Sequence, residues 1–370
     1  MKLFEPIVIK GMEVKNRIVM APMQLGLGVR NPRVHAYYLE RAKGGAGNIM
    51  LAAISVDLFI DDQAWGRSGG AAMLVKTMKP FNEQIRETGA KVGIQIWHGN
   101  RLPAGTGDPG LTTGEPVAPS AKEDMRELTT SEVGSIIEKF ALASEKVKEA
   151  GFDYVELHGA HGYLLCQFFS GADNKRTDDY GGDVYGRMRF GLEMVKSVRQ
   201  AVGDDFPIFY RIGAEEQRAG GITVDQSILF ASELEKAGVD VMDVSAGGVK
   251  PFGMAPTKKA EMGTFVHLAA AIKRKVRVPV IAVGRINTPE VAESILTQGK
   301  ADLIAIGRQL IADPFWPQKV MEGRVEEITP CNSCNKCFRE LRGRNWKPGE
   351  AVCDVNKRAG REIDEPLSAT

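Results

Sequence analysis

The sequence predicts an α/β protein built as a (β/α)8 TIM barrel, and three observations point to it. Eight short apolar runs with little polar alternation recur along the chain, as expected of parallel strands buried on both faces. Longer amphipathic stretches separate them, with capping residues at their starts and glycines just past their ends. A length of 370 residues accommodates eight strand–helix units in one domain. A doubly wound sheet is the rival, but its strands more often number five or six.

The strand candidates, in order, are Ile18–Ala21, Ile49–Ile54, Lys91–Trp97, Tyr154–Leu157, Ile208–Ile212, Val241–Ser245, Val280–Val283 and Leu303–Ile306. The clearest helical patterns are Ser131–Glu149, Val184–Ala201, Val224–Ala237, Thr264–Lys275 and Thr288–Gln298. Ser131 and Thr288 occupy cap positions, and Gly151, Gly203, Gly238 and Gly299 follow helix ends. Two segments break the alternation. Residues 98–130 are rich in Gly, Pro, Ser and Thr and are expected to form a flap over the active face. Residues 329–370 carry most of the cysteines, so the barrel is expected to span 1–328 and a cysteine-rich extension 329–370.

Composition narrows the function classes. Lys and Arg number 48 against 47 Asp and Glu, a formal charge of +1 that argues against a nucleic-acid or anionic-membrane surface. No apolar run approaches a membrane span, and Glu5 and Pro6 interrupt the start before it reads as a secretory signal. A cytoplasmic enzyme is the expectation. Of five cysteines, Cys166 stands alone, and Cys331, Cys334, Cys337 and Cys353 fall within 23 residues. A disulfide scaffold is out of place in so large a chain without secretory context. Four thiolates suit tetrahedral zinc or an iron–sulfur cubane, and spacing alone leaves both open.

In such a barrel the chemistry sits at the C-terminal ends of the strands. The residues there are Pro22-Met23-Gln24, Ala53, Gln95 with His98, His158 with His161 and Tyr163, Arg211, Ser245, Gly284-Arg285 and Gly307-Arg308. The two Gly-Arg pairs follow strands seven and eight, where phosphate sites are common in this fold. Glycine lets the backbone approach an anion, and arginine offers a planar fork to its oxygens. A phosphate-bearing cofactor is expected there.

Residues 154–170, Tyr-Val-Glu-Leu-His-Gly-Ala-His-Gly-Tyr-Leu-Leu-Cys-Gln-Phe-Phe-Ser, followed by Asn174-Lys-Arg-Thr-Asp-Asp-Tyr-Gly-Gly182, closely resemble the old yellow enzyme family of flavin-dependent ene reductases. Leu3-Phe4-Glu5-Pro6, Lys15-Asn16-Arg17-Ile18, Ala21-Pro22-Met23, Gln95-Ile96-Trp97-His98 and both Gly-Arg turns extend the resemblance over nearly the whole chain. The resemblance implies non-covalent FMN on a (β/α)8 barrel. It implies Pro22, Met23, Ala53 and Gln95 against the flavin ring, Arg211 beside its N1/O2 region, and Gly284, Arg285, Gly307 and Arg308 on its phosphate. It further implies that His158 and His161 grip an activating oxygen of the substrate, and that Tyr163 supplies the proton. Gln24 stands where the family more often has Thr or Cys on the flavin.

Cys331-x2-Cys334-x2-Cys337-x15-Cys353 is similar to the [4Fe-4S] site of the branch containing 2,4-dienoyl-CoA reductase and trimethylamine dehydrogenase. With that resemblance an iron–sulfur cluster is favoured over zinc. Those relatives continue into FAD- and nucleotide-binding domains, and no strand here is followed by Gly-x-Gly-x-x-Gly. A stand-alone barrel, one half of a longer protein and one part of a complex all remain open, as does a homo-oligomer. The expected function is FMN-dependent reduction of an activated C=C bond, with NAD(P)H or an electron-transferring flavoprotein as donor. The alternatives are an amine dehydrogenase like trimethylamine dehydrogenase and a zinc-bearing scaffold without catalysis. The histidine pair favours the reductase, because an amine calls for an aromatic or acidic cradle.

Overall fold

The computed structural model describes residues 1–23, 25–60, 70–100, 115–122, 124–247, 255–343 and 347–366. Eight parallel strands close into a barrel: β1 (Ile18–Met20), β2 (Asn48–Ser55), β3 (Lys91–Trp97), β4 (Tyr154–Gly159), β5 (Ile208–Gly213), β6 (Val241–Ser245), β7 (Val280–Ala282) and β8 (Leu303–Ile306). Each strand pairs with the next in sequence, and β8 pairs with β1 through Ile306 and Met20. The barrel predicted from sequence is therefore the fold.

Period-two alternation explains what fills it. One set of alternating residues, Val19, Tyr154, Phe209, Val241 and Leu303 among them, forms a separate apolar cluster inside the barrel. Tyr154 and Phe209 stack there at 4.0 Å, and a Cβ on Gly93 would lie 2.1 Å from the Tyr154 ring, so only glycine leaves room for it. A hairpin, Ile7–Ile9 with Met12–Val14, adds Ile9 and Val14 to this cluster. Its turn is Lys10-Gly11, both at positive φ, the conformation that matches the twist of a two-residue hairpin. The sequence analysis did not anticipate this hairpin. Two residues further along the strands, the same inward row turns polar: Gln95, Glu156, Arg211 and Asp243 are all buried. The remaining strand residues face the helices, where the large outer core lies.

Helix boundaries follow local chemistry. The helix Thr130–Glu149 starts at Thr129, not Ser131: Thr129 accepts from the Glu132 amide while Glu132 reaches back to the Thr129 amide, closing a capping box. Thr288 caps Pro289–Thr297 as expected. All four glycines stand just past helix ends as expected: Gly203 and Gly238 at C-caps, and Gly151 and Gly299 one residue beyond the caps Ala150 and Gln298, at φ 76 and 65. The helix expected over Thr264–Lys275 is shorter, Val266–Lys273.

Of the 98–130 segment, residues 101–114 and 123 lie outside the described residues, and Val117–Ala118 pairs with Arg126–Glu127 in a small two-stranded sheet. The C-terminal segment is tied to the barrel by Arg41, fully buried, which meets the Glu362 carboxylate at 2.6 Å. Glu40 and Arg358 form a second tie at 2.8 Å. Among the described residues no helix is long and apolar enough to cross a membrane.

Candidate active site

One cleft at the C-terminal end of the strands gathers the residues picked out from sequence. Pro22, Met23, Ala53, Gln95, His158, His161, Tyr163, Arg211, Gly284, Arg285, Gly307 and Arg308 all line it. Gln24 lies outside the described residues. His98 is buried away from this cleft, and burial holds it at about 4.

Strand register explains one wall. Gln95 on β3 is opposite Glu156 on β4, His158 is opposite Arg211 on β5, and Arg211 is opposite Asp243 on β6. Gln95 Nε2 donates to Glu156 Oε1 at 2.6 Å, and Arg211 Nη1 donates to Asp243 Oδ2 at 3.0 Å. Glu156 and Asp243 are within hydrogen-bonding reach of each other, and burial followed by mutual repulsion holds Glu156 well above the usual carboxylate range. One carboxyl group of such a pair keeps a proton. Arg211 Nε, buried beside the cleft, has no hydrogen-bond partner.

The β4 turn positions the histidines. Ala160, His161, Gly162 and Tyr163 reverse the chain, with His161 at φ 60 and Gly162 at φ 72. His161 is held at both ring nitrogens: Nδ1 lies 3.3 Å from His158 Nε2, and Nε2 lies 2.8 Å from Ser245 Oγ at the end of β6. His158 Nδ1 is buried without a partner, and burial plus the Arg211 charge holds the imidazole neutral. The two imidazoles, expected side by side, are thus bonded to one another in series from Ser245. Tyr163 begins the helix Leu164–Phe169 and packs edge-on against Trp97 and His158, at 4.5 and 4.9 Å between ring centres.

At the opposite end, Gly284 has φ +120, and a Cβ there would meet the Phe265 ring at 2.9 Å and its amide at 3.0 Å. Arg285 follows at φ 53. Strained backbone of this kind persists where surroundings hold it, and it clusters at ligand sites. Between the ends, Tyr38 Oη donates to Met23 O and accepts from the Ala52 amide, both at 2.9 Å, fixing the loops after β1 and within β2. A register shift between Leu51 and Ile54 turns Ala52 and Ala53 to the cleft.

The cysteine loop borders the same cleft, since Cys337 and Phe338 line it with Arg308. Cys337 and Cys353 are buried, and burial, followed by the neighbouring cysteines, pushes the Cys337 thiol up to about 12. Among the described residues no three His, Cys, Asp or Glu side chains converge tightly enough to hold a metal ion. Cys166 is buried in the outer core, as expected of a small apolar side chain. Glu156, Asp243, Ser245, Tyr38 and Phe265 were not singled out as functional from the sequence, although Ser245 was noted at a strand end.

The profile of the NADH:flavin oxidoreductase / NADH oxidase family matches residues 2–327. The chain belongs to this family. An NADH oxidase of Thermoanaerobacter brockii is 42% identical over 379 residues, covering 97% of this chain and 56% of that protein. A cinnamate reductase of Clostridium sporogenes is 34% identical over 406 residues, covering 99% of this chain and 59% of that protein. The solved structure of a 2-naphthoyl-CoA reductase in complex with 2-naphthoyl-CoA superposes with a TM-score of 0.86 at 32% identity, covering 98% of this chain and 58% of that one. The chain spans a little over half the length of each of these.

Proposed function

We propose that the cleft binds FMN and reduces a C=C bond conjugated to an electron-withdrawing oxygen. The observation that carries the reading is one cleft with two Gly-Arg turns at one end and Arg211, His158, His161 and Tyr163 at the other. The residues fit the cofactor: the unpartnered Arg211 Nε offers a donor to a ring oxygen or nitrogen, and Arg285 and Arg308 line the same cleft as cations for a phosphate. FMN, when bound, supplies hydride from its N5.

The chain's own residues do the rest. Arg285 and Arg308 hold the phosphate, while Pro22, Met23 and Ala53 pack on the ring system. Arg211 offsets negative charge that develops at the pyrimidine edge. In the hydrogen-bond series, Ser245 Oγ–H donates to His161 Nε2 and His161 Nδ1–H donates to His158 Nε2, which leaves the His158 Nδ1–H for the substrate oxygen. That donor draws electron density from the β-carbon, which accepts hydride. Tyr163 Oη–H gives the proton to the α-carbon. Overall, one NAD(P)H and one proton are consumed for each alkene, and the names of the relatives support a nicotinamide nucleotide as electron source.

The four thiols of Cys331, Cys334, Cys337 and Cys353 are the ligands we assign to an iron–sulfur cluster, which would supply one-electron chemistry next to the flavin site. Four thiols suit such a cluster by their chemistry and spacing; as placed, no three of them converge on one metal position, so the loop would have to draw together around the iron. The mechanism is tested by replacing Tyr163 with Phe. Alkene reduction should slow by about 10²-fold or more while flavin reduction by NADH keeps its rate. Equal rates of alkene reduction in the two proteins would remove Tyr163 from the chemistry.

A further inference from the structure

The loop that carries the cysteines does something besides present thiols: it holds the two arginines of the phosphate end. Arg308 Nη1 donates to Asn335 Oδ1 and, at 2.7 Å, to Pro256 O. Arg285 Nε donates to Ser333 Oγ at 3.4 Å, and its Nη1 donates to Ala260 O. Ser333 and Asn335 sit between the first three cysteines, both buried, at φ 54 and 59. Serine enters that conformation at a cost that its surroundings offset, whereas asparagine adopts it more readily. Gln309, next to Arg308, clasps the start of the loop by donating to Thr329 O at 2.9 Å and accepting from the Cys331 amide at 2.8 Å.

The partners share a chemical character. Among the described residues, every oxygen bonded to Arg285 or Arg308 is neutral, and neither arginine is paired with a carboxylate. The contrast is with Arg211, Arg41 and Arg176, each of which meets an acid. Two neighbouring guanidinium groups are thus aimed without being neutralised, which suits a doubly charged phosphate. Asn335 is itself held for this task, because its Nδ2 donates to Ala255 O at 3.0 Å and fixes the amide so that its oxygen faces Arg308.

We propose that Asn335, with Ser333, is a positioning residue that aims Arg308 and Arg285 at the cofactor's phosphate and so makes the protein select FMN over riboflavin. The inference rests on the placement of FMN phosphate at these arginines proposed above. It makes the cysteine loop one wall of the flavin site.

The test is to strip flavin from the protein and titrate FMN and riboflavin by fluorescence quenching, with iron content measured alongside. Asn335→Ala should weaken FMN binding by about tenfold and leave riboflavin binding unchanged. Ser333→Ala should weaken FMN binding less, by about threefold. Asn335→Asp keeps an acceptor in place and guards against a variant that fails to fold. There too the preference for FMN should fall, because a carboxylate claims the guanidinium charge. Wild-type preference in whichever Asn335 variant folds, or equal weakening of both ligands, overturns the proposal. Arg308→Ala separates the two readings. If it leaves the preference unchanged, the phosphate lies elsewhere and both fall; if it lowers the preference and the Asn335 variants do not, this inference alone falls.

Discussion

Replacing Glu156 with Gln tests the polar layer beneath the cleft. Glu156 is fully buried, accepts from Gln95 and faces Asp243, whose charge is already committed to Arg211. Burial first, and Asp243 second, raise its carboxyl well above the usual range, so the folded protein keeps a proton that the unfolded chain releases. A group raised in this way contributes its full stability below its unfolded value and loses it as pH rises toward the folded one. Each pH unit in that window costs the wild type about 1.4 kcal/mol for one proton. The amide introduced by Glu156→Gln would imitate the protonated acid, with its oxygen accepting from Gln95 and its NH2 donating to Asp243, and would carry no such dependence. In urea unfolding at closely spaced pH values above the ordinary carboxylate range, with saturating FMN, the variant should therefore gain steadily on the wild type as pH rises. Parallel stability curves, or a variant that falls behind as pH rises, would refute the shared proton. Asp243→Asn removes the acid bonded to Arg211 and leaves Glu156 to ionise as its counter-charge, so this variant too should lose the steep pH dependence.

Other outcomes follow from single contacts. Gly284→Ala forces a Cβ onto Phe265 at positive φ, and should cost about 1–3 kcal/mol and lower the FMN retained per chain after gel filtration; full retention would show that the turn tolerates a side chain. Glu362→Gln leaves the buried Arg41 without its carboxylate and should lower unfolding stability by about 3–5 kcal/mol, read from the urea midpoint. Replacing Cys334 and Cys337 together by Ser should remove the iron and stop turnover driven by a one-electron donor such as reduced methyl viologen. Iron-free protein that turns over at the wild-type rate would make the cluster structural.

The barrel was legible because its strands are short, apolar and buried on both faces, a pattern that survives in a single sequence. The cleft was legible for a different reason: Gly-Arg at β7 and β8, and the His-Gly-Ala-His-Gly-Tyr turn after β4, are contiguous and chemically distinctive. What escaped was set by register across strands. Glu156 reads as one acid inside an apolar run, and only its alignment between Gln95 and Asp243 makes it half of a proton-sharing pair. Ser245 was visible at the end of β6, but its bond to His161, 84 residues away in sequence, was not. The cap at Thr129 is hidden among three adjacent cap formers, Thr129, Thr130 and Ser131, and only Glu132 at the third helical position selects Thr129. Asn335 carries no signal in the sequence beyond its place between two cysteines, because its partners Arg308 and Ala255 lie 27 and 80 residues away.

The central claim is that this cleft passes a hydride to a conjugated alkene. The direct measurement is anaerobic stopped-flow of the reduced protein against a panel of enoates, enoyl-CoA thioesters, cyclic enones and nitroalkenes, with product analysis, and of the oxidised protein against primary and tertiary amines. The account predicts that at least one alkene reoxidises the flavin with one saturated product formed per flavin, and that no amine reduces it. Reduction of the flavin by an amine, with every alkene leaving it reduced, would contradict the account.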